Sequence, residues 1–168
     1  PVPLTMKEAI LWWNDRRRLT QGVPLRAPDP ETTLFTDASH AGWGAHLDNR
    51  TTSGTWSSDL SSRHINHLEL LAVHLALRHF EDLVRGKVVQ VMTDNTTVVG
   101  QLRNQGGTAS RQLAALTAEL LTWTDERNIT LIPRHLPGKL NVLADSLSRK
   151  GQVIHTDRKS TRLNSSHT

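Results

Sequence analysis

Cysteine is absent from the 168 residues. Disulfide staples, Cys-based zinc sites and thiol nucleophiles are therefore excluded, and a reducing compartment is compatible with the chain. No run approaches the roughly 18 continuous apolar residues that cross a bilayer, so no membrane partner is expected. A signal peptide is also missing. The first basic cluster, Arg16-Arg17-Arg18, follows the apolar residues of the N-terminal segment instead of preceding them. With no targeting signal, the expected location is intracellular, in the cytoplasm or nucleus. Charge of one sign is scarce as well. The formal net charge is +4, but Lys150, Arg158, Lys159 and Arg162 against Asp157 supply most of it. Sixteen basic and fifteen acidic residues leave the first 149 positions nearly neutral. Any field that holds a polyanion must come from local patches and bound metal.

What is present reads as one domain with a modest core, preceded by a lead-in and followed by a tail. The chain opens on Pro1, as a fragment or excised domain would. Residues 6–19 have a helical pattern, and a Gly- and Pro-rich loop follows. Trp12 and Trp13 are expected to pack on the main domain, with an upstream domain as the alternative contact. Strands are expected at 33–37, 42–47 and 54–57, as an antiparallel meander. A helix is expected at 68–84, a strand at 88–92, helices at 96–104 and 110–126, a strand at 129–133 and a last helix at 141–149. Three sequential strands followed by strands alternating with helices imply an α/β fold with a mixed sheet. The crossover rule sets strand 88–92 parallel to its partner, with the 68–84 helix on one face.

Four acids stand out. Asp37 and Asp94 each end an apolar strand, and ligands collect beyond the carboxyl ends of parallel strands. Glu69 is expected in the first turn of the long helix, where the helix dipole favours a negative group. Asp145 lies in the last helix between Leu143-Ala144 and Leu147. Four converging acids repel one another unless cations hold them together. Oxygen-only ligands suit Mg²⁺ or Mn²⁺, and two such ions about 4 Å apart can activate water and stabilise the leaving oxygen of a phosphodiester. Taken singly, each acid also has an ordinary reading as a turn cap, a helix cap or a solvated residue. His135 ends a strand before a Leu-Pro-Gly turn, where an imidazole could carry a proton. His64 and His67 show no zinc-ligand spacing.

Five blocks occur in order: Thr36-Asp-Ala-Ser39, Gly42-Trp-Gly-Ala45, His64-Ile-Asn-His-Leu-Glu-Leu70, Thr93-Asp-Asn-Thr-Thr97 and a final block from His135 to Arg149. Together they resemble the ribonuclease H domain of a retroelement reverse transcriptase, in texture the gypsy and DIRS types. The resemblance covers about residues 32–149. It implies a ribonuclease H-like fold, a five-stranded mixed sheet with flanking helices. It implies endonucleolytic cleavage of the RNA strand in an RNA–DNA hybrid, with Mg²⁺ or Mn²⁺, as two ions. The family's metal-binding and catalytic acids fall on Asp37, Glu69, Asp94 and Asp145, and its mobile histidine on His135, ten residues before the last acid. Asn95 is expected at the hybrid backbone, with turn capping as its ordinary role. Ser39 and His40 are candidates for positioning a strand or a phosphate. Gln105, Thr108 and Arg111 surround a turn where amide and hydroxyl contacts could reach the substrate.

The resemblance also divides the chain. Residues 1–31 read as an upstream connection, the end of a covalently linked reverse transcriptase. Residues 32–150 are the ribonuclease H-like domain. Residues 151–168 are a tail that, from Asp157, resembles the translation of a sequencing adapter and is excluded from the functional reading. The stretch from Asn95 to Arg111 holds no large basic helical insertion, so few salt-sensitive phosphate contacts are expected. Three rivals remain: an inert hybrid-binding or structural module, a DNA-directed nuclease of the same broad fold, and a non-enzymatic interaction protein derived from an element.

Overall fold

The computed structural model describes residues 4–20, 22, 25–106 and 110–150. Thr108 and the 151–168 tail, including the adapter-like stretch, lie outside the described residues. The N-terminal segment forms α1 (Leu4–Asn14) and α2 (Arg16–Thr20), split at Asp15, where one continuous helix was expected. Trp13 is 65% exposed, so its expected burial on the body does not occur, and the side chain of Trp12 lies outside what the structure describes.

The body is one five-stranded sheet in the order β3-β2-β1-β4-β5. Its strands are β1 (Thr32–Ala38), β2 (Gly42–Leu47), β3 (Arg50–Thr55), β4 (Val88–Thr93) and β5 (Thr130–His135). β1, β2 and β3 pair antiparallel, whereas β1–β4 and β4–β5 pair parallel. The sheet is thus mixed, with flanking helices, as the sequence implies. The third strand lies earlier than the expected 54–57. Leu47 pairs with Arg50 across a two-residue turn, and Asp48 takes a φ of 51° there. Aspartate tolerates that left-handed backbone, so the hairpin closes without glycine. Pro133 interrupts a row of donors but sits on β5, an edge strand, where the loss is tolerated.

A short helix, α3 (Ser58–Ser61), follows β3, and helix α4 (Ile65–His79) crosses back to β4 through α5 (Glu81–Val84). The expected single helix at 68–84 therefore starts three residues earlier and breaks at Phe80. His64 explains the early start. Its Nδ1 accepts from the Asn66 N–H and caps the helix, a role usually taken by Ser, Thr, Asp or Asn. Glu69 is consequently the fifth residue of α4, past the first turn, and the dipole argument for its charge no longer applies.

One face of β1 carries Leu34, Thr36 and Ala38, the other Phe35 and Asp37, as strand alternation requires. Leu34, Ala45, Leu47, Val89 and Val91 bury against Leu68, Ala72, Val73, Ala76 and Leu77 of α4 in one cluster. Helices α6 (Thr96–Arg103) and α7 (Arg111–Asp125) complete that layer, with Leu116, Leu120 and Trp123 joining the core. The opposite face receives a shorter helix, α8 (Val142–Ser148), which packs on β2 and β1. Its close seat depends on Gly44. A Cβ there would strike Leu147 and come within 2.6 Å of the Ala144 carbonyl oxygen.

Candidate metal centre

β1 and β4 are parallel neighbours, so their carboxyl ends open on the same side of the sheet. Asp37 is the next-to-last residue of β1, and Asp94 follows the last residue of β4 directly. The register pairs Phe35 with Met92, and two further residues along each strand bring Asp37 and Asp94 level. Glu69 reaches the same point from α4. One carboxylate oxygen from each of Asp37, Glu69 and Asp94 lies within 4.8 Å of the others. Asp37 and Glu69 are buried, and Asp94 is half-buried.

Burial is the main force on these acids. It pushes the Asp37 carboxyl up to about 6, with Asp94 and Asp145 adding repulsion and the Ser148 hydrogen bond opposing both. Burial likewise lifts Glu69 to about 9, reinforced by the charges of Asp37 and Asp94 and opposed by a backbone hydrogen bond from Ala38. Without a cation, Glu69 holds its proton at neutral pH. Its Oε2 is buried and has no hydrogen-bond partner. An unpaired buried oxygen costs free energy until something meets it. Oxygen-only donors, mutual repulsion and one unmatched buried oxygen fit a hard divalent cation. The trio could hold such an ion.

Asp145 stands beside this trio but outside it. It lies in the first turn of α8, half-exposed, and its Oδ1 accepts from Arg149 Nε at 2.6 Å. It is still close enough to repel Asp37. His135 is the last residue of β5 and pairs in register with Thr93, one position before Asp94. Its ring is exposed at the same end of the sheet as the acids. The loop after it returns over Asp94: a Cβ on Gly138 would stand 2.8 Å from Asp94 Oδ2.

The polar candidates divide. Asn95 caps α6, its Oδ1 accepting from Val98 N at 3.0 Å, and its Nδ2 donates to Asn66 Oδ1 at 2.9 Å. Both Asn95 functional atoms are thus engaged, next to a catalytic candidate. Ser39 is tied to the backbone, its hydroxyl donating to Ser148 O at 3.0 Å and accepting from Ala41 N and Gly42 N. His40 Nδ1 lies 2.9 Å from Ser61 O. Gln105, with a φ of 54°, follows α6 and lines a cleft with Leu102, Leu121 and Ile129, away from Asp37, Glu69, Asp94 and Asp145. Arg111 opens α7, exposed, between Ser110 and Gln112. Those two residues share a second cleft with His64, Asn66 and His67.

Three supporting residues escaped the sequence reading. Ser148 Oγ donates to Asp37 Oδ2 at 2.7 Å. Asn141 is buried and its Nδ2 donates to Thr36 O at 2.9 Å, which pins the start of α8 to the end of β1. Arg149 pairs with Asp145. Only the last had a readable signal, the i,i+4 spacing of an acid and a base on one helix.

Known structures of low identity share this architecture. LC11-RNase H1 in complex with an RNA/DNA hybrid superposes with a TM-score of 0.60 at 20% identity, covering 70% of this chain and 93% of that one. RNase H1 from the halophilic archaeon Halobacterium salinarum gives 0.57 at 20%, over 73% and 98%. The foamy viral protease-reverse transcriptase in complex with an RNA/DNA hybrid gives 0.51 at 14%, over 92% of this chain and 27% of that one. A five-stranded mixed sheet with flanking helices is the ribonuclease H-like class of architecture that these structures share. Within that class, residues 27–123 match the family model of the RNase H-like domain found in reverse transcriptase, and the chain belongs to that family. The match spans Asp37, Glu69 and Asp94, while His135 and Asp145 lie beyond it. Among the described residues, no helix is long and apolar enough to cross a membrane.

Proposed function

We propose that this chain hydrolyses the RNA strand of RNA–DNA hybrids, as the ribonuclease H module of a retroelement reverse transcriptase. The convergence of Asp37, Glu69 and Asp94 from three separate elements, with a buried unmatched oxygen among them, carries the reading. Family membership supports it, as do folds shared with proteins whose structures hold an RNA/DNA hybrid. The order and spelling of the sequence blocks support a gypsy- or DIRS-type parent. Residues 1–31 are then the end of the attached polymerase, and residues 32–150 the nuclease.

The cofactor proposed is Mg²⁺ or Mn²⁺, as two ions, held by Asp37, Glu69, Asp94 and Asp145. When bound, the ions supply charge that activates water and stabilises the leaving oxygen of the phosphodiester. Burial makes the carboxylates of Asp37 and Glu69 poor free anions and thus strong partners for a cation. Ser148 fixes the Asp37 carboxylate from the α8 side, and Gly138 leaves room for Asp94 Oδ2. His135, exposed at the end of β5, carries a proton at the leaving oxygen. Asn95 and Asn66, already bonded to each other, present amides to the hybrid backbone. Ser39, its hydroxyl already bonded to the backbone, positions the end of β1, while Gln105, Thr108 and Arg111 contribute outer substrate contacts.

The test is cleavage of a labelled hybrid by the full chain with Mg²⁺, Mn²⁺ or EDTA, beside Asp94→Asn. Double-stranded DNA and single-stranded RNA serve as controls. Metal-dependent cutting of the hybrid's RNA strand alone, lost in the variant, is expected. Cutting of the DNA control would instead assign a DNA-directed nuclease. Folded protein that leaves every substrate intact, with its polymerase supplied, would assign an inert module.

A further inference from the structure

Two consecutive residues at the end of α8 serve two different acids. Ser148 donates to Asp37 at 2.7 Å, and Arg149 Nε donates to Asp145 Oδ1 at 2.6 Å. The acids whose oxygens converge within 4.8 Å are Asp37, Glu69 and Asp94. Asp145 carries a guanidinium in place of a share in that set. The pair has the favoured helix geometry, acid four residues before base. Its side chains are 45% and 57% exposed, so it is held loosely enough to be exchanged.

We propose that Arg149 is the resident counter-ion of the Asp145 side of the metal centre, and that it competes there with a divalent cation. The proposal rests on reading the acids as ion ligands. The trio offers an ion three carboxylates, none of them hydrogen-bonded to a basic side chain among the described residues; the Arg149 charge also reaches Asp37, but only Asp145 is bonded to it. An ion using Asp145 must either displace the guanidinium or sit beside its charge. The two positions therefore differ in affinity: the trio fills first, and the Asp145 side fills at higher metal concentration. Arg149 sets that gap. It is a positioning residue, acting through Asp145.

The full chain, without substrate, is titrated with Mn²⁺ while free Mn²⁺ is followed by electron paramagnetic resonance. Wild type, Arg149→Gln, Arg149→Lys, Asp145→Asn, the Arg149→Gln/Asp145→Asn double variant and Asp94→Asn are compared, each checked for folding by circular dichroism. Two binding events are expected in wild type. Arg149→Gln should tighten the weaker one about three- to fivefold, the size that a partly exposed ion pair supports. Arg149→Lys, which keeps the charge and loses the planar fork, should fall between them. In the Asp145→Asn background, Arg149→Gln should lose most of that effect, leaving only the small influence of its charge on Asp37. An unchanged or weaker second event in Arg149→Gln overturns the counter-ion proposal while leaving the metal centre standing. Wild type that takes up no Mn²⁺, or Asp94→Asn that binds like wild type, removes the metal centre and this proposal with it.

Discussion

Ser148 Oγ lies 2.7 Å from Asp37 Oδ2 and 2.9 Å from the carbonyl oxygen of Asp145. A hydroxyl has one proton to donate and two lone pairs to accept with. Facing ionised Asp37, Ser148 donates to the carboxylate. Facing protonated Asp37, it can accept from Asp37 and donate to the Asp145 carbonyl. The last turn of α8 thus satisfies Asp37 in either charge state, and does so from 111 residues away.

Ser148→Ala removes the donor that favours the ionised form of Asp37. Hydrogen bonds to charged groups are worth about 1.5–3 kcal/mol, and the supports of metal ligands typically matter about 10- to 100-fold in affinity. Mn²⁺ binding near neutral pH is expected to weaken about tenfold, with the same folded spectrum. Isothermal titration at pH 6, 7 and 8 checks it. The loss should be greatest at pH 6, where Asp37 is hardest to ionise. Equal binding at all three pH values would show that the Ser148 contact does not bias Asp37.

The acid cluster also fixes how stability follows pH in the metal-free protein. Asp37 and Glu69 both have raised values, to about 6 and about 9. The folded state then holds protons that the unfolded state releases. Their contribution to stability is complete at pH values below the ordinary carboxylate range. It declines as pH rises, through about 6 for Asp37 and on towards 9 for Glu69. The melting temperature in EDTA should fall from pH 5 to pH 9, and Mg²⁺ should restore it. Glu69→Gln, uncharged at every pH, should flatten the slope and melt higher than wild type at pH 8. A gain of about 1 kcal/mol corresponds to roughly 2–4 °C in a chain of this size. Thermal melts of both proteins across the pH series decide it. A parallel decline would mean that Glu69 is not the group that titrates.

Much of this was legible in the sequence because strand ends leave a mark. Leu34-Phe-Thr-Asp37 and the Val88–Thr93 run followed by Asp94 show where apolar strands stop, and parallel neighbours put those stops side by side. The start of α4 is not legible, because a histidine caps it, and the sequence pattern alone sets Glu69 in the first turn. The third strand was displaced because Asp48 supports the hairpin turn without a glycine marker. Ser148 and Asn141 could not be read as partners of β1. Their contacts span more than a hundred residues and follow from how closely α8 seats on Gly44. Asp145 showed its limits too. Its position in the chain fits the acid set, but side-chain direction is not a sequence property, and here the carboxylate meets Arg149.

Gly138 separates positioning from folding. A Cβ would stand 2.8 Å from Asp94 Oδ2, and the residue opens an exposed 3-10 turn, Gly138–Leu140. Gly138→Ala should turn the Asp94 carboxylate with little change in melting temperature, and Mn²⁺ affinity should drop about tenfold. Gly44→Ala makes the contrast. Its Cβ would meet Leu147 and the Ala144 carbonyl, so α8 must lift, at a cost of about 1–3 kcal/mol for overpacking. Calorimetry and metal titration on both variants test the distinction. Equal melting losses in the two would erase it.

His135 offers a test of chemistry apart from metal. Its exposed ring at the end of β5 lies in register with Thr93, next to Asp94, yet outside the carboxylate trio. Removing it should leave the ion ligands in place. His135→Ala is expected to bind Mn²⁺ like wild type and to cleave the hybrid more slowly by about 10²-fold, the lower end of what a positioned acid or base contributes. The rate should show its largest deficit under single turnover if the proton transfer lies in the chemical step. If release of product is what His135 assists, single-turnover cleavage should match wild type and only steady-state turnover should fall. Added imidazole should recover part of the lost rate in the first case. A variant that loses Mn²⁺ binding along with cleavage would make His135 a support of the metal site, and its role as proton carrier would be withdrawn.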